Sequence, residues 1–292
     1  MADATSEIVR GSPATLIWRD GNITVVVDPG HGKKRAKQLA KKLRGSEEVL
    51  YIVTHYHSDH LNALAEGLRR DIPGRVVVPE LDAPAVVDPL LRVTMTFGLP
   101  LHPESPLLSF KPLPVEPDAL IRPGDVVNGL RIIALPGHTP GQIGVATPDG
   151  ILYAADSVFG DRVLSRYAVP YHLDPCVAME SLRTIEEYAS KGYAIQPSHG
   201  PLVRGDEATS MVEANRRAVG AFLERVEECL GEPRTLDSLA RCSLKGSPPP
   251  GAGLALLVST AVRGAIACLH RQGLVEARPA GPGVVEWFLA RR

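Results

Sequence analysis

The sequence predicts a layered α/β (α+β) domain over residues 1–205 and a C-terminal helical, winged-helix-like domain over 206–292. Three observations carry this expectation. Short apolar runs alternate with helical patterns through the first two thirds of the chain, as in a sheet covered by helices. Beyond residue 206 the pattern changes to charged amphipathic helices ending in a candidate hairpin. The 27 glycines and 26 prolines are spread without period, which indicates short, stiff turns rather than disorder.

The elements follow in order. ATLIW (14–18) and NITVVV (22–27) flank Asp20-Gly21, a hairpin signal, and the second strand ends at Asp28-Pro29-Gly30. KKRAKQLAKKLRG places Ala36, Leu39, Ala40 and Leu43 on one helical face, with Gly45 as the stop. VLYIV (49–53) is a continuous apolar run, suited to a strand buried on both faces. A helix is expected over 62–70 and a strand over 75–79. Six prolines between 100 and 117 exclude a central strand or long helix and point to a loop across one face. Strands resume at 130–135, 142–147 and 150–155, a helix is expected over 177–191, and AIQP (194–197) is a last short strand. The tail reads as a helix over 207–230, a short helix over 235–242 with Thr235 as N-cap, a proline-rich loop over 244–253, and a helix over 254–272. Its apolar stripe is Leu257, Ala261, Ala265 and Leu269, and two strands about residues 279–283 complete the module.

Composition sets limits. A formal charge of −1 and a pI near 6.8 give no global field toward nucleic acid or an anionic membrane. The N-terminus shows no signal-peptide pattern, and no window looks apolar enough to span a bilayer, so a cytoplasmic protein with no membrane partner is expected. Cys176, Cys229, Cys242 and Cys268 form no C-x-x-C pair, and reduced, mostly buried thiols are the expected state, with a disulfide as the alternative. A homodimer is the base-rate expectation for assembly.

The chemistry begins at THYHSDHL, which packs His55, His57, Asp59 and His60 into six positions just past a buried strand. Three further positions also follow strands directly: His138 in PGHTPG, Asp156 in AADS and His199 in PSHGP. Loops at the same end of neighbouring strands converge on one crevice in layered α/β folds. Seven imidazole and carboxylate donors meeting there suit two divalent ions, zinc first, with iron or manganese as alternatives.

On these motifs the chain resembles the metallo-β-lactamase superfamily, over roughly residues 8–205. The resemblance implies a four-layer αββα sandwich with the site at one edge of the paired sheets. It implies His55, His57 and His138 on one ion, Asp59, His60 and His199 on the other, Asp156 bridging, and Asp28 supporting the ligand loop from behind. A hydroxide shared by the ions would be the nucleophile, with Asp59 orienting it. The bridging Asp156 differs from true β-lactamases of the superfamily, and Phe159 stands where the quorum-lactone hydrolases place Tyr. DSVFGDRVLSRY lacks the G-C-G-R stretch of glyoxalase II, and the tail layout is similar to that of lactamase-beta-2-type endoribonucleases. The leading expectation is hydrolysis of a small-molecule ester or thioester. The alternative is metal-dependent endoribonuclease action on RNA, and a third is a non-catalytic protein keeping the metals for structure.

Other residues carry weaker signals. Seven of the 12 residues from Lys33 to Arg44 are basic, which reads as a solvated helix face before it reads as a polyanion cradle. From Asp206 to Arg292 there are 11 basic and 10 acidic side chains, a poor nucleic-acid footprint. His31, Tyr171 and His172 are candidates for donating a proton to a leaving group, and Arg216 and Arg217 for an anionic substrate tail. His102 and His270 carry no assigned role.

Overall fold

The computed structural model describes residues 4–167, 169–244 and 251–290; the proline triplet at 248–250 lies outside them. Gly21, at φ 59°, turns the first hairpin and sets Asp20 opposite Ile23. That hairpin is β2 (Thr15–Asp20) and β3 (Ile23–Val27), and β1 (Thr5–Val9) adds an antiparallel edge that the sequence pattern does not announce. Helix α1 (Lys33–Leu43) leads to β4 (Glu48–Ile52), parallel to β3.

The next helix starts earlier than expected. α2 (Ser58–Ala63) already holds Asp59 and His60, then passes through a π-turn (Leu64–Leu68) and the short α3 (Arg69–Asp71). Gly67, at φ 127°, takes the backbone angle that breaks a continuous helix over 62–70. β5 (Arg75–Pro79) follows, then α4 (Ala83–Val87) and α5 (Pro89–Phe97), neither anticipated, and after the proline-rich loop β6 (Ala119–Ile121). The first sheet runs β1-β2-β3-β4-β5-β6.

The second sheet contains β7 (Val126–Val127), β8 (Leu130–Ala134), β9 (Ile143–Ala146), β10 (Ile151–Ala155) and, after α6 (Asp161–Arg166) and α7 (Pro175–Ser190), β11 (Ala194–Pro197). Its order is β11-β10-β9-β8-β7. Period-two alternation assigns the layers. Leu16 and Trp18 pack between the sheets against Leu130, Ile132 and Val145. Ile17 and Val26 turn the other way, onto Leu39 and Leu43 of α1. Leu152 and Ala154 of the second sheet face Leu182 and Ile185 of α7. The result is helix, sheet, sheet, helix, the expected four layers. Full burial of a Leu- or Trp-sized side chain contributes roughly 1.5–3 kcal/mol, so a carboxylate at Leu16 would be expected to split the sandwich.

The tail is α8 (Gly205–Cys229), α9 (Leu236–Ser243), α10 (Ala252–Arg271) and the hairpin β12 (Val275–Gly281) with β13 (Val284–Leu289). Thr235 caps α9, accepting a hydrogen bond from the Ser238 amide. α8 belongs to two cores: Ala208, Met211 and Val212 pack with α7, while Phe222, Val226 and Cys229 pack with α9 and α10. α10 is long and apolar enough in composition to cross a membrane, contrary to the reading of the sequence, and half of that stretch is buried against the rest of the chain.

The cysteine expectation is corrected. Cys176 pairs with Cys268, fastening α7 to α10, and Cys229 pairs with Cys242, fastening α8 to α9. The partners lie 92 and 13 positions apart, and long-range proximity of this kind leaves no mark in cysteine spacing.

Candidate metal centre

Every ligand loop sits where a strand runs out at the same edge of the sandwich. β4 feeds His55 and His57, β8 leads to His138, β10 to Asp156 and β11 to His199. Asp59 and His60 ride the first turn of α2, where a carboxylate complements the helix N-terminus. Asp28 and Ala155, one at the end of β3 and the other just before Asp156, both take φ 50°, the left-handed region that L-residues avoid. The strained turns rotate the following backbone toward the crevice.

All seven donors are brought together. His57 Nδ1 and His138 Nε2 lie 2.9 Å apart, and Asp156 Oδ2 is 3.3 Å from His138 Nε2. Asp156 Oδ1 lies 3.5 Å from His60 Nε2, and Asp59 Oδ2 lies 3.3 Å from His199 Nε2. Two sets have donor atoms within 4.8 Å of one another: His55, His57, His138 and Asp156, and Asp59, His60 and His199. A third set, Asp28 with His55 and His60, meets the same distance, but the oxygens of Asp28 are already engaged. Asp28 accepts from the Thr54 amide at 2.8 Å, the Thr54 hydroxyl at 2.7 Å and the Tyr153 hydroxyl at 3.2 Å, and pairs with His60 Nδ1 at 2.7 Å. These contacts tie Asp28 to the Thr54 loop and to the His60 ring.

The remaining ring nitrogens are held from behind. His138 Nδ1 donates to the Tyr171 carbonyl at 2.9 Å, Ser12 Oγ lies 2.7 Å from His199 Nδ1, and Thr54 Oγ1 lies 3.0 Å from His55 Nδ1. Such outer contacts fix ring orientation and leave the other nitrogen's lone pair for an ion. His55 Nε2, His60 Nε2 and Asp156 Oδ1 are buried without any hydrogen-bond partner. Buried polar atoms are normally satisfied, so orphans converging from separate loops fit a cation better than a self-contained network.

The electrostatics agree. Burial and neighbouring imidazoles hold His55 and His57 well below the usual histidine range, and burial lowers His138 to about 4. Burial also pulls down on His60 and His199, but Asp156 and Asp59 outweigh it, raising His60 well above the ordinary value and His199 to about 10. Burial works against ionisation of Asp59 and Asp156 as well, and His60 and His199 overcome it, leaving both carboxyls below the usual range. Two buried carboxylates thus demand positive charge, which two imidazolium protons supply when no ion does.

A residue that sequence reasoning missed joins the two ligand loops. Asp82, just beyond β5, accepts from the Tyr56 amide at 3.2 Å and the Thr139 hydroxyl at 2.6 Å through Oδ2, and from the Gly141 amide at 2.7 Å through Oδ1. Tyr56 lies between two ligands and Thr139 follows a third. The strand-end criterion that finds His138 also applies to Asp82, a carboxylate three positions past β5. Tyr171 stacks on His57 and His138, but its hydroxyl donates to the Thr96 carbonyl, so it is spent structurally. His172 is buried 5.9 Å from the His138 ring with neither nitrogen partnered. Arg216 pairs with Glu186 and Glu213, and Arg217 with Glu213, as helix-surface charges. Within the basic run, Arg35 turns inward to the Val9 and Arg10 carbonyls and Lys42 pairs with Glu7. His31 packs on Phe110, with ring centroids 4.3 Å apart.

A cavity of about 1510 Å³ opens onto His57, Asp59, His138, Asp156 and His199 and extends to the N-terminal half of α10. This is larger than the roughly 300–1,000 Å³ of an ordinary small-ligand pocket.

Comparison with known proteins agrees with this architecture. Two solved structures, a beta-lactamase domain protein from Burkholderia ambifaria (18% identity) and a metallo-beta-lactamase family protein from Thermus thermophilus (17% identity), each match at a TM-score of 0.69 over 98% of this chain. The alignments cover 91% and 98% of those chains, so the shared fold includes the tail. A metallo-beta-lactamase from Pontibacter korlensis matches at a TM-score of 0.52 and 16% identity, over 74% of this chain and 94% of its own. No match was found among curated proteins. The family model described as "Metallo-beta-lactamase superfamily" matches residues 8–199, the span that contains all seven donors. By that match, and with its donors gathered at the sandwich edge, the chain belongs to the metallo-beta-lactamase superfamily and is a metal-dependent hydrolase.

Proposed function

We propose that the protein hydrolyses a small-molecule ester or thioester with two divalent ions, zinc first, held by His55, His57, His138 and Asp156 on one side and Asp59, His60 and His199 on the other. Nitrogen and carboxylate donors without thiolate suit zinc, with iron or manganese as alternatives. Bound ions of this kind lower the pKa of water and stabilise negative charge developing on a substrate oxygen.

The chain's own groups do the positioning. Asp156 directs one oxygen toward His60 and the other toward His138 and His199, so it faces both donor sets and is placed to bridge them. Asp59, partly exposed at the cavity, is the carboxylate placed to accept a hydrogen bond from the attacking water. His57 and His138 are held neutral by burial, with Tyr171 fixing the ring of His138, so their lone pairs stay available.

The observation that carries the ester or thioester reading is the cavity beside the donors. Its exposed lining is more apolar than polar, and its exposed charges are mixed: Arg162 and Arg166 against Asp161, Asp206 and Glu207. Phosphodiester cleavage of RNA is the second reading, favoured by Arg162 and Arg166 on α6. A panel of thioesters, lactones, phosphodiesters and single-stranded RNA, given to zinc-loaded enzyme, separates the two. Turnover confined to RNA would reject the first.

A further inference from the structure

We infer that α10 lines an acyl-chain subsite, so that the substrate is an ester or thioester whose acyl group is a medium or long apolar chain; this rests on the hydrolase reading above.

The argument starts from α10's composition. Its core face, including Val262, Ala265, Ile266 and Leu269, packs with α8 and α9 in the tail. Leu254 and Leu257, together with Val258 and Ala261 at the edge of that core, line the cavity that reaches the metal donors, at spacing i, i+3, i+4 and i+7. Serving a core and a cavity makes the helix apolar on more than one side, which explains its membrane-like hydropathy.

The wall is held in place at both ends by glycines. A Cβ at Gly253 would lie 2.2 Å from the Leu107 carbonyl oxygen, and one at Gly264 would lie 2.3 Å from that of Leu173. Both contacts are to backbone, which cannot swing aside, so the helix is seated against the proline-rich loop and the segment behind His138. Val93 and Phe97 of α5, which packs against α10, and Leu164 of α6 also line the cavity. The polar lining includes the donors, the exposed Arg162, Arg166, Asp206 and Glu207, and Arg92, whose buried guanidinium is taken up by the Ala85, Val86 and Leu113 carbonyls. A carbonyl held at the donors can lay its apolar tail along α10 while a polar leaving group exits past the exposed charges. Attack of water at the carbonyl carbon breaks the bond to the alkoxy or thiol group, which leaves with one proton, and the acid remains with the chain.

The test pairs turnover with binding on zinc-loaded full-length protein. With p-nitrophenyl acetate, butyrate, octanoate and dodecanoate, kcat/KM should rise roughly tenfold or more from butyrate to octanoate, since each buried methylene adds severalfold. Calorimetry with butyrate and dodecanoate should show the longer acid binding at least tenfold tighter. Leu257→Trp on α10 and Leu164→Trp on α6 each fill part of the cavity from a different helix. Each should cut the octanoate-to-acetate ratio by about tenfold, and a variant with the wild-type Tm suffices. Long-acid preference that is lost in L257W, with no ester turnover, would keep the subsite and reject the hydrolase reading. Ester turnover with a flat chain-length profile and equal binding of both acids would keep the hydrolase and overturn the subsite.

Discussion

Asp28 Oδ2 and His60 Nδ1 sit 2.7 Å apart with both side chains fully buried, so the carboxylate fixes the ring whose Nε2 faces Asp59 and Asp156. Asp28→Ala should therefore lower the affinity of the Asp59, His60 and His199 set by about 10–100-fold, while the His55, His57 and His138 set loses much less. Competition against a chelator, read as two binding phases, measures this. Equal affinity in wild type and variant would contradict the supporting role.

Purified protein loaded with zinc should contain close to two ions per chain by elemental analysis. Asp156→Ala removes a carboxylate that faces both donor sets, and should reduce the content to one or fewer and turnover by about 100-fold or more. A variant that retains two ions and full activity removes Asp156 from the mechanism.

Ion binding should release protons. In the ion-free protein His199 is raised to about 10 and His60 is also raised, so both carry protons at pH 7. Loading should expel about two protons per chain at that pH, measured by calorimetry in buffers of different ionisation enthalpy. The sign for folding follows. His199's contribution to ion-free stability is fully present below about 6.5 and is lost as pH rises through about 10. No proton release on loading would mean that the two imidazoles are neutral beforehand.

Asp82→Ala leaves the Tyr56 and Gly141 amides and the Thr139 hydroxyl without their shared acceptor. A loss on the order of 2–4 kcal/mol is expected in urea melts, together with weaker ion binding as the two loops loosen. Burial raises the Asp82 carboxyl to about 6 against the pull of those donors. The native state therefore holds this proton more tightly than the unfolded chain, and the associated stability, present below about 4, is lost as pH rises through about 6. The deficit of Asp82→Asn relative to wild type should shrink between pH 4.5 and 7, by about 2–3 kcal/mol at most.

Thiol titration of unfolded, unreduced protein should find no free cysteine, in line with both pairs being closed. Reduction, or Cys176→Ser with Cys268→Ser, should cost about 2–4 kcal/mol and lower the Tm. Four alkylated cysteines in protein isolated under thiol-blocking conditions would instead fit the expected cytoplasmic, reducing environment.

The site was readable where its chemistry repeats locally. Each donor motif follows an apolar run, and Gly137 before His138 and Gly200 after His199 mark turns, so strand ends could be located without coordinates. The sandwich layers were readable for the same reason, since Leu16 and Ile17 face opposite ways by the period of a strand. Asp82 was passed over although it too follows a strand, because its three partners lie 26, 57 and 59 positions away and the strand-end position alone does not reveal them. The cysteine pairs failed likewise, being set by how α7, α8, α9 and α10 stack. The start of α2 was misplaced because THYHSDHL is polar throughout its exposed half, and hydrophobic period only begins at Leu61. Helix α10 looked like ordinary core because a stripe does not reveal whether it meets side chains or open space.

Asn215 on α8 grips both backbone groups of Phe159, three residues past Asp156, while the same helix carries Phe222 and Val226 into the tail. One rod therefore ties the catalytic edge to the C-terminal lobe. A truncated enzyme ending before α8 would be a damaged one rather than a minimal one, and heating the intact chain should dismantle both lobes in a single cooperative event.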